Sequence, residues 1–153
     1  MISLSDRHCV IRTLGCLALL WAAIAVGQGQ LSTIKVEALV EALRLAAPAV
    51  RADSGLYSDW QIKPDNIGRW TTRCLNQQLT PEQFAADTVL ARQTIACVMG
   101  PVLREQFVAS NGNEVVAIQR AAAWWLNGDP EPYRRGDTSA YTLKVLEAYL
   151  RFF

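Results

Sequence analysis

Beyond residue 32 the apolar positions recur every three or four residues, the period of a helix with one buried face, and no stretch alternates as a strand would. Ser32 can cap a first helix over about 33–47, on which Ile34, Val36, Leu39, Val40 and Leu43 recur at helical spacing and which Pro48 stops. The pattern lapses over 49–63, where Leu56, Tyr57 and Trp60 stand among Asp53, Ser54, Gly55, Ser58 and Asp59, so an irregular segment is expected. Asp65 or Asn66 can cap a short helix with Ile67, Trp70, Cys74 and Leu75 on one face. In Thr80-Pro81-Glu82-Gln83 a capping threonine, a proline at the first helical position and a glutamine at the third form a reciprocal capping box, which starts a helical turn at Pro81. Asp87 opens the next helix, with Leu90, Thr94, Cys97 and Val98 inward, and Gly100-Pro101 is expected to kink or divide it before Leu103 and Phe107. Val115, Ile118, Ala122, Trp125 and Leu126 mark a further helix between turns at 110–113 and 127–130. Thr138 can cap a last one carrying Tyr141, Val145, Leu146 and Tyr149. The sum is an all-α domain of five to seven helices around one core, without an internal repeat or a linker.

The N-terminal residues follow a different pattern. Arg7 and Arg12 precede a charge-free apolar run over 14–26, and Ala25 and Gly27 form the small-x-small pair read by signal peptidases. Residues 1–27 are therefore expected to be a signal peptide and 28–153 the mature domain, exported to a periplasmic or extracellular space. The rival reading is a retained anchor. Against it stands the length of the run, 13 residues where about 20 span a bilayer; after cleavage no membrane segment is expected.

Composition narrows the chemistry. The expected mature domain has about 125 residues, enough for one core and too few for two. Its basic and acidic residues balance at 13 each, which argues against nucleic acid as a partner, since that needs a concentrated basic excess. The sole histidine, His8, and two of the four cysteines, Cys9 and Cys16, precede residue 28. Without histidine there is no Ser-His-Asp or Cys-His machinery, and two cysteines alone make no ordinary zinc site; no metal or other cofactor is implied. Carboxylate chemistry survives. Cys74 and Cys97 form an even pair in an exported chain and are expected to be joined as a disulfide, the alternative being two buried thiols.

The stretch Tyr57-Ser58-Asp59-Trp60-Gln61-Ile62-Lys63-Pro64-Asp65-Asn66-Ile67-Gly68-Arg69-Trp70, followed by Leu79-Thr80-Pro81-Glu82-Gln83-Phe84, resembles the small lytic transglycosylases of the lysozyme-like superfamily. In that family Y-G-x-Y-Q-V-M-P-x-N-I-x-x-W leads through a short helix into L-T-P-x-x-F. Ala121 to Trp125, Gly128-Asp129-Pro130 and 140–146 are similar to its closing segments. The resemblance, over roughly 37–153, implies a lysozyme-like helical fold and an enzyme that cleaves the MurNAc-GlcNAc bond of peptidoglycan glycan strands with a single glutamate. Held among apolar neighbours, that acid has a raised pKa; it protonates the glycosidic oxygen and then acts as a base toward the C6 hydroxyl. Small enzymes of this kind accompany secretion and conjugation machinery, which are further partners implied.

The family places its glutamate at the end of the first helix, as Glu-Ser-Gly, some twenty residues before the Tyr-Gln pair. By that distance Glu41 is the candidate acid, with Glu37 second. Neither is followed by Ser-Gly, and Ser58 stands where the family has glycine. Tyr57, Trp60, Gln61, Trp124 and Tyr141 are the candidate substrate-binding residues, through ring stacking and amide hydrogen bonds; ordinary core packing is the other reading of these aromatics. Glu37 and Glu41, four apart on one helix, also suit a solvated stripe. Because adjacent helical residues point about 100° apart, one of Trp124 and Trp125 is expected in the core and the other near a groove. The alternative to an enzyme is a lysozyme-like protein that binds glycan or a partner without cutting it, and a third reading is a disulfide-stapled structural component of an export machine.

Overall fold

A computed structural model describes residues 22–49 and 54–153, with side chains from Thr33 onward; Arg7, Arg12 and the first part of the expected signal core lie outside them. By its contacts the chain divides into Met1–Ser32 and Thr33–Phe153, and the architecture below is that of the second unit. Among the described residues there are six α-helices and no strand: α1 (Ala22–Ala46), α2 (Pro64–Leu75), α3 (Pro81–Ala86), α4 (Thr88–Ala109), α5 (Glu114–Asn127) and α6 (Gly136–Leu150), with a 3-10 turn at Glu131–Arg134 before α6. The chain is all-α, as its periodicity predicts.

Helix α1 begins at Ala22, not at 33, so Ser32 lies inside it. The residues ahead of Ser32 include good helix formers and no proline, and nothing there forces a stop. Along its second half Val36, Ala38, Leu39, Val40, Ala42 and Leu43 are all buried. At about 100° per residue these six sweep most of the circumference, leaving one open stripe on which Glu37 and Glu41 stand.

The segment after α1 is irregular, as expected, but it contains a tight turn. Tyr57 N–H donates to Ile62 O (2.9 Å) and Ile62 N–H returns to Tyr57 O (2.8 Å), closing an isolated antiparallel bridge. Ser58 (φ 64°) and Gln61 (φ 55°) are both left-handed, the conformation for which glycine carries no Cβ penalty.

Helix α2 starts directly at Pro64 with Lys63 as N-cap, and no side chain caps it; proline at the first position supplies the preset φ that makes a cap from Asp65 or Asn66 unnecessary. The capping box forms: Gln83 N–H donates to Thr80 Oγ1 (3.3 Å) and Thr80 N–H to Gln83 Oε1 (2.9 Å). Asp87 caps α4 through Leu90 N–H (2.9 Å). Gly100-Pro101 does not divide α4, which runs on to Ala109. α2, α3 and α5 all pack on α4, and this tertiary burial outweighs the lost backbone hydrogen bond. Asn113 caps α5 through Val116 N–H (3.1 Å). Thr138 sits inside α6 instead of capping it, and its hydroxyl accepts from Asn127 Nδ2 (3.0 Å).

The core gathers Leu39, Leu43, Ile67, Phe84, Ile95, Met99, Ile118, Val145 and Tyr149, all essentially inaccessible. Cys74 and Cys97 form the expected disulfide, tying α2 to α4 at a Cα–Cα distance of 6.0 Å. Cys97 is on the exposed side of α4, not inward as its spacing predicts; the bond is made over the rim of the core. Among the described residues no helix is long and apolar enough to cross a membrane, and no group of His, Cys, Asp and Glu is placed to hold a metal ion.

Candidate functional site

One groove, of about 580 Å³, opens where the end of α1, the turn at 57–62, α2, the end of α5 and α6 meet. That volume is in the range of small-ligand sites. Its floor includes Trp60 and Ile62, which the turn folds inward. Trp60 is 2% exposed and its indole N–H donates to Val40 O (2.8 Å), fixing the ring against α1. Gln61, left-handed at the corner, donates its side-chain amide to Pro48 O and so ties the turn to the end of α1.

The α2 wall follows from helical spacing. Lys63, Asn66, Arg69 and Trp70 recur at three- and four-residue intervals and line the groove, while Ile67 and Thr71, one step round the helix, are buried in the core. Arg69 Nη2 donates to Asn66 Oδ1 (2.6 Å), which holds the guanidinium along the wall.

On the other side, Trp124, Trp125, Leu126 and Asn127 come from the last turn of α5, just before Gly128 (φ 77°) closes the helix. Both tryptophans are half-buried and both line the groove, in place of the expected division between core and groove. The last turn of α5 has passed beyond the alanine-lined core segment of Ala117, Ala121 and Ala122, so a 100° spread here spans a groove wall. Trp125 packs on Trp70 of the opposite wall, with ring centroids 5.9 Å apart and planes tilted by 35°. Tyr141 of α6 completes the lining, and burial raises its phenol above the ordinary range, so the hydroxyl stays protonated.

Of the residues expected at the site, then, Trp60, Gln61, Trp124 and Tyr141 are brought together. Tyr57 is not: it is partly buried against the core and absent from the groove lining. The glutamates are not there either. Glu41 Oε1 accepts from Arg44 Nε (2.9 Å) and Nη2 (2.5 Å), and Glu41 Oε2 accepts from Arg92 Nη1 (3.2 Å). Arg92 Nε also donates to Glu37 Oε2 (2.9 Å), and Arg44 lies 3.9 Å from Asp59. The Arg44 hydrogen bond, opposed by burial and aided by the charges of Arg44 and Arg92, holds the Glu41 carboxyl below its ordinary range. A general acid needs the opposite shift. The residues just after α1, Ala47 and Pro48, line the groove instead, and among the described lining residues there is no carboxylate.

Lys63, Asn66, Arg69, Trp70 and Trp125 were not among the expected site residues. The signal was in the sequence, since Asn66, Arg69 and Trp70 follow an i, i+3, i+4 pattern inside the stretch that carries the resemblance. No family model matches the chain, and neither a curated protein nor a solved structure matches it.

Proposed function

We propose that this is an exported, lysozyme-like glycan-binding module, which holds a peptidoglycan-type sugar strand in the groove without cutting it. The observation that carries this reading is the lining: tryptophan and tyrosine rings with side-chain amides, and no carboxylate among the described lining residues. Aromatic rings cover the apolar faces of pyranoses, and Gln61, Asn66 and Asn127 offer donors and acceptors to hydroxyl and N-acetyl groups. Cleavage would need a proton donor beside the glycosidic oxygen. Glu41, the sequence candidate, is ionised and spoken for by two arginines. Export by residues 1–27 would set the module beside the cell wall, where secretion or conjugation machinery is also found.

The test is co-sedimentation with insoluble peptidoglycan, together with mass spectrometry of the supernatant. The expected outcome is saturable binding with no sugar products released. Trp70→Ala and Trp125→Ala, shown to be folded by their thermal melts, should each weaken binding about fivefold or more, the scale of one lost aromatic contact. Release of anhydro-sugar or reducing-end products would overturn the non-cutting reading. Unchanged binding by both variants would remove the groove as the site.

A further inference from the structure

Two cations line the groove, and they lie on one wall. Lys63 is the N-cap of α2 and Arg69 stands two turns on, with Asn66 between them. The ion pairs of the described residues use Lys35, Arg44, Arg92, Arg120 and Arg151; Lys63 and Arg69 are in none of them. Arg69 is instead oriented by a neutral amide, Asn66 Oδ1 at 2.6 Å, which leaves the rest of its guanidinium fork for a ligand. The start of α2 adds the partial positive charge of a helix N-terminus, though Pro64 has no N–H and Asn66 N–H is paired with Lys63 O (3.0 Å). Asp65, in the first turn, offsets part of this field, but it is exposed and outside the lining. The groove therefore sets an unbalanced positive wall against the tryptophans of α5.

We infer that the groove selects saccharides that carry free carboxylates over neutral ones, with Lys63 and Arg69 as the specificity-determining residues. This rests on the glycan-binding reading above and adds to it the ionic form of the ligand. Within the groove a carboxylate substituent is attracted by the cations of the α2 wall, whereas a neutral amide gains nothing from their charge. Strands whose acid groups are free are thus held in preference to strands whose acid groups are capped as amides. The charges are exposed, so the preference is a matter of several-fold and fades with salt.

The experiment uses the full chain and three probes: an oligosaccharide of alternating N-acetylglucosamine and muramic acid with free carboxyls, the same oligosaccharide amidated, and a neutral chitooligosaccharide of equal length. Affinity for the free acid is expected to exceed that for the amide roughly three- to tenfold at low salt, with the gap closing at high salt. Lys63→Gln and Arg69→Gln should each narrow the gap between acid and amide, and a gap that persists in full in both folded variants overturns the inference. Equal affinity for acid and amide in the unaltered chain overturns the inference while leaving the glycan reading intact. Absence of binding to all three overturns both.

Discussion

The ion-paired state of Glu41 separates a structural carboxylate from a catalytic one, and Glu41→Gln is the change that tells them apart. The side chain is 17% exposed and accepts three charge-assisted hydrogen bonds, two from Arg44 and one from Arg92. Glutamine keeps the shape and one acceptor but loses the charge, and its NH₂ faces one of the guanidinium groups. Fully buried, such bonds are worth about 1.5–3 kcal/mol each; exposed, a pair is worth about 0.2–1 kcal/mol. Arg92 keeps Glu37 and Arg44 keeps the longer contact to Asp59, so the site relaxes, and a loss of about 1–2 kcal/mol is expected. For a domain of this size that lowers Tm by roughly 3–8 °C. The pH dependence has a definite sign. Glu41 titrates below its ordinary value of 4.5 in the folded chain, so its contribution is complete above that value and is lost as pH falls through the folded pKa. Urea melts of both proteins should therefore differ at pH 7 and converge in strong acid. A variant of unchanged stability that abolishes glycan cleavage shown by the unaltered chain would refute the reasoning.

Other consequences can be measured in the same way. Replacing Cys74 and Cys97 with serine frees a loop of sequence separation 23 and should cost about 3 kcal/mol by loop entropy, read as a lower urea midpoint that reductant reproduces in the unaltered chain. Tyr149→Phe removes the hydroxyl that donates to Glu114 Oε1 at 2.5 Å and should cost about 1–2 kcal/mol. Burial raises Glu114, but the bonds from Lys35 and Tyr149 outweigh it and the net shift is downward. Losing one of those bonds moves the folded pKa back up, so acid unfolding of the variant should begin at a higher pH. Ser58→Gly relieves a left-handed residue at φ 64° and should stabilise by up to about 1 kcal/mol; a lower midpoint would mean that the 3.4 Å bond from Trp60 N–H to Ser58 Oγ matters more than the backbone.

Much of the fold was legible because its signals are local. A capping box is decided within four residues, and Thr80 and Gln83 form theirs as the pattern demands; Asp87 acts in the same way. Pro101 does not divide α4, because its cost is local while the packing that outweighs it comes from other helices, α2, α3 and α5. The groove was partly legible. Gln61 and Tyr141 were found through a resemblance, and Trp60 is at once core and floor. Glu41 was placed by counting residues back from Gln61, but position along a helix does not give direction around it. Its main partner, Arg44, is only three residues on, while Arg92, which ties it to α4, lies 51 residues away.

The lining of the groove has a consequence for how binding answers to the solution around it. Its charged members among the described residues are Lys63 and Arg69, and no carboxylate shares the lining with them. Added ions therefore screen an attraction to an anionic ligand with no repulsion from the wall to offset the loss. A plot of affinity against ionic strength would then report the charge of the bound glycan.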